Sequence, residues 1–171
     1  MCFIISAVEA EWVGHQLGTS TKKFAKGFLK SANKWLIGRM QHGDSQVIGR
    51  FYKNNKFAFS TLKGKWLGIT TGDIEVLKNP AAGVTVDWVS GEAGNSPPAG
   101  AVVGGEQTDG SPLYVIKSGD IPGYYDPVKG CARTFRVRPT CSSEFFYLTF
   151  TSPGRFVSYL YFHKIRHVQM R

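Results

Sequence analysis

Few residues in this chain have the types and spacing that chemistry needs. The four histidines, His15, His42, His163 and His167, are scattered. His163 and His167 stand at i and i+4, but no His-Glu-x-x-His pattern surrounds them to hold a catalytic metal. The three cysteines, Cys2, Cys131 and Cys141, form no Cys-x-x-Cys pair. An odd, sparse set reads as reduced thiols and not as a disulfide framework. There is no Gly-x-Ser-x-Gly elbow, and Gly104-Gly105 runs into Glu106 without the lysine and hydroxyl of a phosphate loop. What remains are carboxylates and polar groups beside turns. Asp44 precedes Ile48-Gly49-Arg50, Asp109 stands in Asp109-Gly110, and Asp120 precedes Ile121-Pro122-Gly123-Tyr124. Such groups can hold a polar ligand, and they point to no enzyme, cofactor or metal.

The elements that position them centre on Pro97–Phe135, where short apolar runs alternate with turn residues. Asp109-Gly110 reads as a hairpin turn, because Asp and Gly tolerate the positive φ it needs. Pro122-Gly123 reads as a second turn, with proline pre-setting φ. Three short strands separated by two turns follow. The 20 glycines and 8 prolines spread along the chain favour many short strands over long helices.

The unit occurs twice. Glu11-Trp12-Val13 matches Asp87-Trp88-Val89, and the run ending in Arg39 falls where the run ending in Lys117 stands. Ile48-Gly49-Arg50 matches Pro122-Gly123-Tyr124, and Lys56–Thr61 matches Gly130–Phe135. The first copy spans 8–78 and holds extra residues in the Met40–Val47 turn. It ends in Asp73–Leu77, whose polar–apolar alternation reads as a half-buried strand. The second copy spans 84–135 and lacks a recognisable counterpart of that ending. Residues 136–171 form a divergent aromatic tail, read either as an added hairpin that closes a sheet or as a departure from the repeat. Recurrence of Trp12 and Trp88 at one place in the unit marks them as core.

Of the net charge of +9, +7 falls in residues 1–78. That imbalance suits either a solvated lysine-rich face or an anionic partner. Thr21–Trp35 carries lysines around Phe24 and Phe28 and has two readings, a basic amphipathic helix or, by the repeat, strand and turn. The apolar start lacks a basic leader, and no apolar run reaches the ~20 residues that span a bilayer, so a cytoplasmic location is expected.

Pro98-Ala99-Gly100-Ala101-Val102-Val103-Gly104-Gly105, Asp109-Gly110-Ser111-Pro112-Leu113-Tyr114-Val115 and Ile121-Pro122-Gly123 together resemble a DM9 repeat. The doubled unit resembles the tandem arrangement of the DM9 (DUF3421) family. The resemblance implies an all-β fold of two pseudo-symmetric antiparallel units packed as one compact domain. It implies a non-catalytic, lectin-like role: binding of mannose-type glycans in innate recognition of microbes. A homodimer is a further expected partner, apart from the resemblance. An acidic residue near the Asp-Gly turn and the lysine of a Pro-Gly-Lys motif form the family's sugar site. Here Asp109 supplies the acid, while Tyr124 stands where that lysine would be. In the first copy Arg50 takes the lysine's place and Ser31 falls opposite Asp109. Asp44 and Asp120 can add carboxylates. The alternative is a basic module centred on Lys22–Lys34 that binds an anionic membrane or nucleic acid; no specific nucleic acid is implied.

Overall fold

The computed structural model describes residues 8–31, 35–52, 54–135 and 141–152. Strands β1 (Trp12–Gln16), β2 (Leu36–His42), β3 (Ser45–Tyr52), β4 (Lys56–Ser60), β5 (Trp66–Ile69) and β6 (Asp73–Leu77) form one antiparallel sheet in the order β1-β6-β2-β3-β4-β5. Strands β7 (Thr85–Gly91), β9 (Pro112–Ser118), β10 (Ile121–Asp126), β11 (Cys131–Thr134) and β12 (Phe145–Thr151) form a second in the order β7-β12-β9-β10-β11. A short β8 (Val103–Glu106) pairs with β9 beside that path. The fold is all-β, and the two sheets repeat one topology. β1 corresponds to β7, β6 to β12, β2 to β9, β3 to β10 and β4 to β11.

This topology corrects the expectation that the second copy lacks its closing strand. Phe145–Thr151, assigned to the divergent tail, lies between β7 and β9 just as β6 lies between β1 and β2. Residues 136–140 and 153–171 fall outside those described. Sequence alone hides the equivalence because β12 is almost continuously apolar. Its alternate side chains enter two cores, a pattern that erases the polar phase of a half-buried strand. Leu148 and Phe150 join the large core between the sheets, together with Ile37, Phe51, Leu113 and Val115. Phe145 and Tyr147 join a smaller aromatic core with Ile116 and Tyr125 on the opposite face of the second sheet.

The hairpins are also placed differently from the sequence reading. Asp109-Gly110 does turn between β8 and β9, with Gly110 N donating to Gln107 O. The next reversal, however, is Gly119-Asp120, between the paired residues Ser118 and Ile121. Its counterpart is Gly43-Asp44, between His42 and Ser45. Both glycines have positive φ, which two-residue hairpins demand at their first position. Pro122-Gly123 instead lies within β10. Gly123 and its counterpart Gly49 are glycines because their strands press on the neighbouring backbone: a Cβ would collide with Arg133 O at Gly123 and with Ala58 O at Gly49. The extra residues of the first copy lengthen both arms of the β2–β3 hairpin.

Among the described residues of Thr21–Trp35 there is no amphipathic helix. The segment holds a four-residue 3-10 turn, Lys22–Ala25, that buries Phe24 against His15, Phe28 and Phe51 while Lys22, Lys23 and Lys26 stay exposed. The expectation of free thiols is also corrected. Cys131, in β11, and Cys141 form a disulfide. It ties the end of one strand to the approach to β12, where Ser142 N also bonds Ala132 O. Residues ten apart in sequence close a small loop, which restricts the unfolded chain.

Two stability tests follow. Gly49→Ala and Gly123→Ala should each cost about 1–3 kcal/mol or more in urea unfolding, because the obstructing atom is backbone and cannot swing aside. Cys141→Ser should cost about 2–3 kcal/mol and abolish the difference in melting temperature between reducing and non-reducing buffer.

Candidate functional site

The sequence-marked residues do not share one site. Asp44 and Asp120 are exposed at the tips of the two equivalent hairpins. Asp109 is exposed in a third turn, where its carboxylate accepts Ser111 N at 2.9 Å. Hydrogen bonding from Ser111, side chain first and then amide, holds that carboxyl below its usual range. Arg50 is half-buried, its guanidinium 4.3 Å from the Trp35 ring centre and 4.5 Å from that of Phe135. Burial lowers its pKa. Tyr124 is fully buried, and its hydroxyl donates to Ser60 O at 2.8 Å. That removes it as a surface on which a ligand could stack, because both its ring and its hydroxyl are used inside the core. Ser31 proves to be the counterpart of Gly104 and not of Asp109. Leu29 N bonds Leu77 O as Val102 N bonds Leu148 O, which fixes the alignment of the two segments.

The placements show a reciprocal seam. Tyr124 of the second unit reaches Ser60 of the first, and Arg50 of the first reaches Phe135 of the second. Ser60 and Phe135 follow Phe59 and Thr134, the partners of Gly49 and Gly123. The position expected to hold a ligand-binding lysine is therefore spent on joining the units.

A second reciprocal pair frames a cleft. Arg39 lies over the Trp12 ring at 4.4 Å and donates through Nη1 to Gly104 O at 3.1 Å. Lys117 lies over the Trp88 ring at 4.6 Å and donates to Ser31 O at 3.4 Å. Each cation thus sits on its own unit's tryptophan and bonds a carbonyl of the other unit. Arg39 also gives Nε and Nη2 to Glu75 Oε2, at 2.9 and 2.7 Å. Beside Arg39 and Trp12, a cleft of about 330 Å³ opens between the start of β1 and β8. Glu9, Gln46 and Glu106 line it with Trp12 and Arg39. Its volume is at the small end of ligand sites. Two carboxylates and an amide beside an indole can accept from adjacent hydroxyls while an apolar ring face rests on the wall.

The cleft residues Glu9, Gln46 and Glu106 were not distinguished by sequence. The available signal was the joint recurrence of Trp12 with Arg39 and Trp88 with Lys117, which marks a structural pair and, next to it, the seam.

Burial raises the Tyr124 phenol above its ordinary value of 10.0, with Arg133 opposing and Asp126 adding to the shift. A folded-state value above the unfolded one contributes stability that is complete below pH 10 and lost as pH rises through the folded value. Tyr124→Phe should therefore cost about 1 kcal/mol at neutral pH by orphaning Ser60 O. The variant should also lose less stability than the parent between neutral and strongly alkaline pH, read from urea midpoints.

A family model described as the DM9 repeat matches residues 29–133. The solved structure of a nematode sperm cell motility protein, MFP2B, aligns with a TM-score of 0.62 at 14% identity, covering 90% of this chain and 50% of that one. The chain thus spans about half the length of that structure, and the likeness is one of fold. Among curated proteins none matches the sequence. The match over most of both units, and the duplicated all-β topology beneath it, place this chain in the DM9 repeat family.

Proposed function

We propose that the protein is a non-catalytic carbohydrate-binding module that takes a neutral, mannose-type sugar in the seam cleft. The observation that carries this reading is the cleft itself, which Glu9, Gln46 and Glu106 line together with Trp12. Sugar recognition needs acceptors spaced for neighbouring hydroxyls, an apolar surface for the ring, and rigid support. Support comes from Arg39, whose donors are engaged by Glu75 and Gly104 and whose face is on Trp12. The disulfide favours an oxidising compartment over the cytoplasm expected from the sequence. That setting suits recognition of glycans on microbial surfaces.

The alternative, binding of anionic membrane or nucleic acid through Lys22–Lys34, has less support. Lys23 already donates to Gly14 O and lies over Phe24. Among the described residues no helix is long and apolar enough to cross a membrane.

The test is retention of the full chain on mannose-agarose, with circular dichroism to confirm folding. Retention should change little with salt, since a neutral ligand releases no counterions. Glu106→Gln should weaken binding about tenfold or more, the worth of a charged hydrogen-bond acceptor, while Asp109→Asn should leave it nearly unchanged. Folded parent protein that fails to bind would refute the sugar reading. Loss confined to Asp109→Asn would move the site to the β8–β9 turn.

A further inference from the structure

The two units place the same groups in the same register, so one can serve as an internal reference for the other. Trp12 pairs with Leu77 as Trp88 pairs with Leu148. Gly14 pairs with Glu75 as Ser90 pairs with Phe146. Arg39 pairs with Glu75 as Lys117 pairs with Phe146. The cation rests on the tryptophan in both units and donates across the seam in both. At the centre of this arrangement one difference stands out: Phe146 occupies the place of Glu75.

That difference changes the chemistry of the second unit. In the first, the Glu75 carboxylate satisfies Arg39 and neutralises it. In the second, Lys117 forms no ion pair among the described residues. Its ammonium has three donors, and the one bond recorded, to Ser31 O, is long at 3.4 Å. Beside it the Phe146 side chain, a large apolar ring, is 40% exposed. A half-buried cation beside an exposed ring lacks the carboxylate that its counterpart has, and it has an apolar surface next to the gap. The ligand that fits carries a carboxylate on a ring with an apolar face. A sugar acid has both: its carboxylate does for Lys117 what Glu75 does for Arg39, and the C–H face of the pyranose rests on Phe146.

We propose that Trp88, Lys117 and Phe146 form a second subsite, specific for a uronic acid residue and separate from the seam cleft. Lys117 pairs with the sugar carboxylate, Phe146 carries the ring, and Trp88 holds the lysine in place. An acidic peptide would satisfy Lys117 equally well, but it has less use for the flat ring beside it.

Titration of the full chain with glucuronate and with glucose, followed by calorimetry or by chemical-shift changes, tests this. Glucuronate should bind saturably and weaken as salt rises, and glucose should not bind at this subsite. Lys117→Gln should weaken glucuronate by at least about tenfold; retention of the parent chain on mannose-agarose is scored separately, so failure here is separable from failure of the cleft reading. Phe146→Glu is the second variant. It installs the carboxylate of the first unit, should keep the fold by circular dichroism, and should abolish glucuronate binding by occupying Lys117. Glucuronate binding that survives both substitutions, or no binding by the parent chain, overturns the proposal. A Glu-rich peptide that binds through Lys117 where glucuronate does not would also overturn it, and would assign the lysine to a protein partner.

Discussion

The structure depends on a cation seated on a tryptophan and bonded across the seam. Arg39 on Trp12 reaches Gly104 O, and Lys117 on Trp88 reaches Ser31 O. A cation on an aromatic face gains more when partly removed from water, and here the same group also satisfies a carbonyl of the other unit. Each cation thus links its own tryptophan to a carbonyl of the other unit, beside the apolar core that the sheets share. The Arg39 bond to Gly104 O adds to the packing of β8 on β3, and the cleft lies beside that junction. Gly104 and Gly105 complete the approach: a Cβ on either would meet Ile48 and Val115, or the Gln46 backbone.

A second reciprocal contact uses different chemistry in its two halves. Tyr124 donates to Ser60 O inside the core, whereas Arg50 lies between Trp35 and Phe135 at its margin. A buried tyrosine requires only one partner for its hydroxyl. A guanidinium in the same position must keep part of its surface wet, and Arg50 does so by remaining half-buried. Duplication supplies two copies of each position, and only one copy must meet the structural need. Where one copy is saturated, as Arg39 is by Glu75, the other is free to drift. Phe146 in place of Glu75 is a drift that leaves a charge with capacity to spare.

Much of the architecture was legible in the sequence, for identifiable reasons. The matched tryptophans, the Ile48-Gly49 and Pro122-Gly123 pairs and the Asp-Gly turn mark places where backbone geometry admits few residue types. They revealed the repeat and its all-β character. The turn preceding Pro122 was misread because glycine serves two purposes: at Gly119 it provides positive φ, and at Gly123 it admits a neighbouring carbonyl. Sequence shows the residue but not which need it meets. The cleft was invisible for another reason. Glu9, Gln46 and Glu106 come from three separate segments and converge only when the sheets dock. The expected ligand residues, by contrast, were tied to turns, and turns lie at the surface whether or not they bind anything.

The disulfide fits the same logic of a central strand that arrives late. β6 enters between β1 and β2 after the chain has passed through β5, an extra strand laid on β4. Among the described residues, the second unit has no strand laid on β11 in that way. Its chain goes from Cys131 in β11 to Cys141, and β12 then inserts between β7 and β9. Inserting a central strand fixes two long-range pairings at once, at a cost in chain entropy that local contacts do not offset. Ser118 anchors the approach by bonding Ser142 and Glu144 O, and the disulfide holds the segment to β11. The covalent link restrains the approach to β12 where the first unit has β5 on the path to β6. That accounts for how a segment so unlike Asp73–Leu77 in sequence can occupy its place: the register is imposed from outside the strand, and the strand itself needs only to be apolar on both faces.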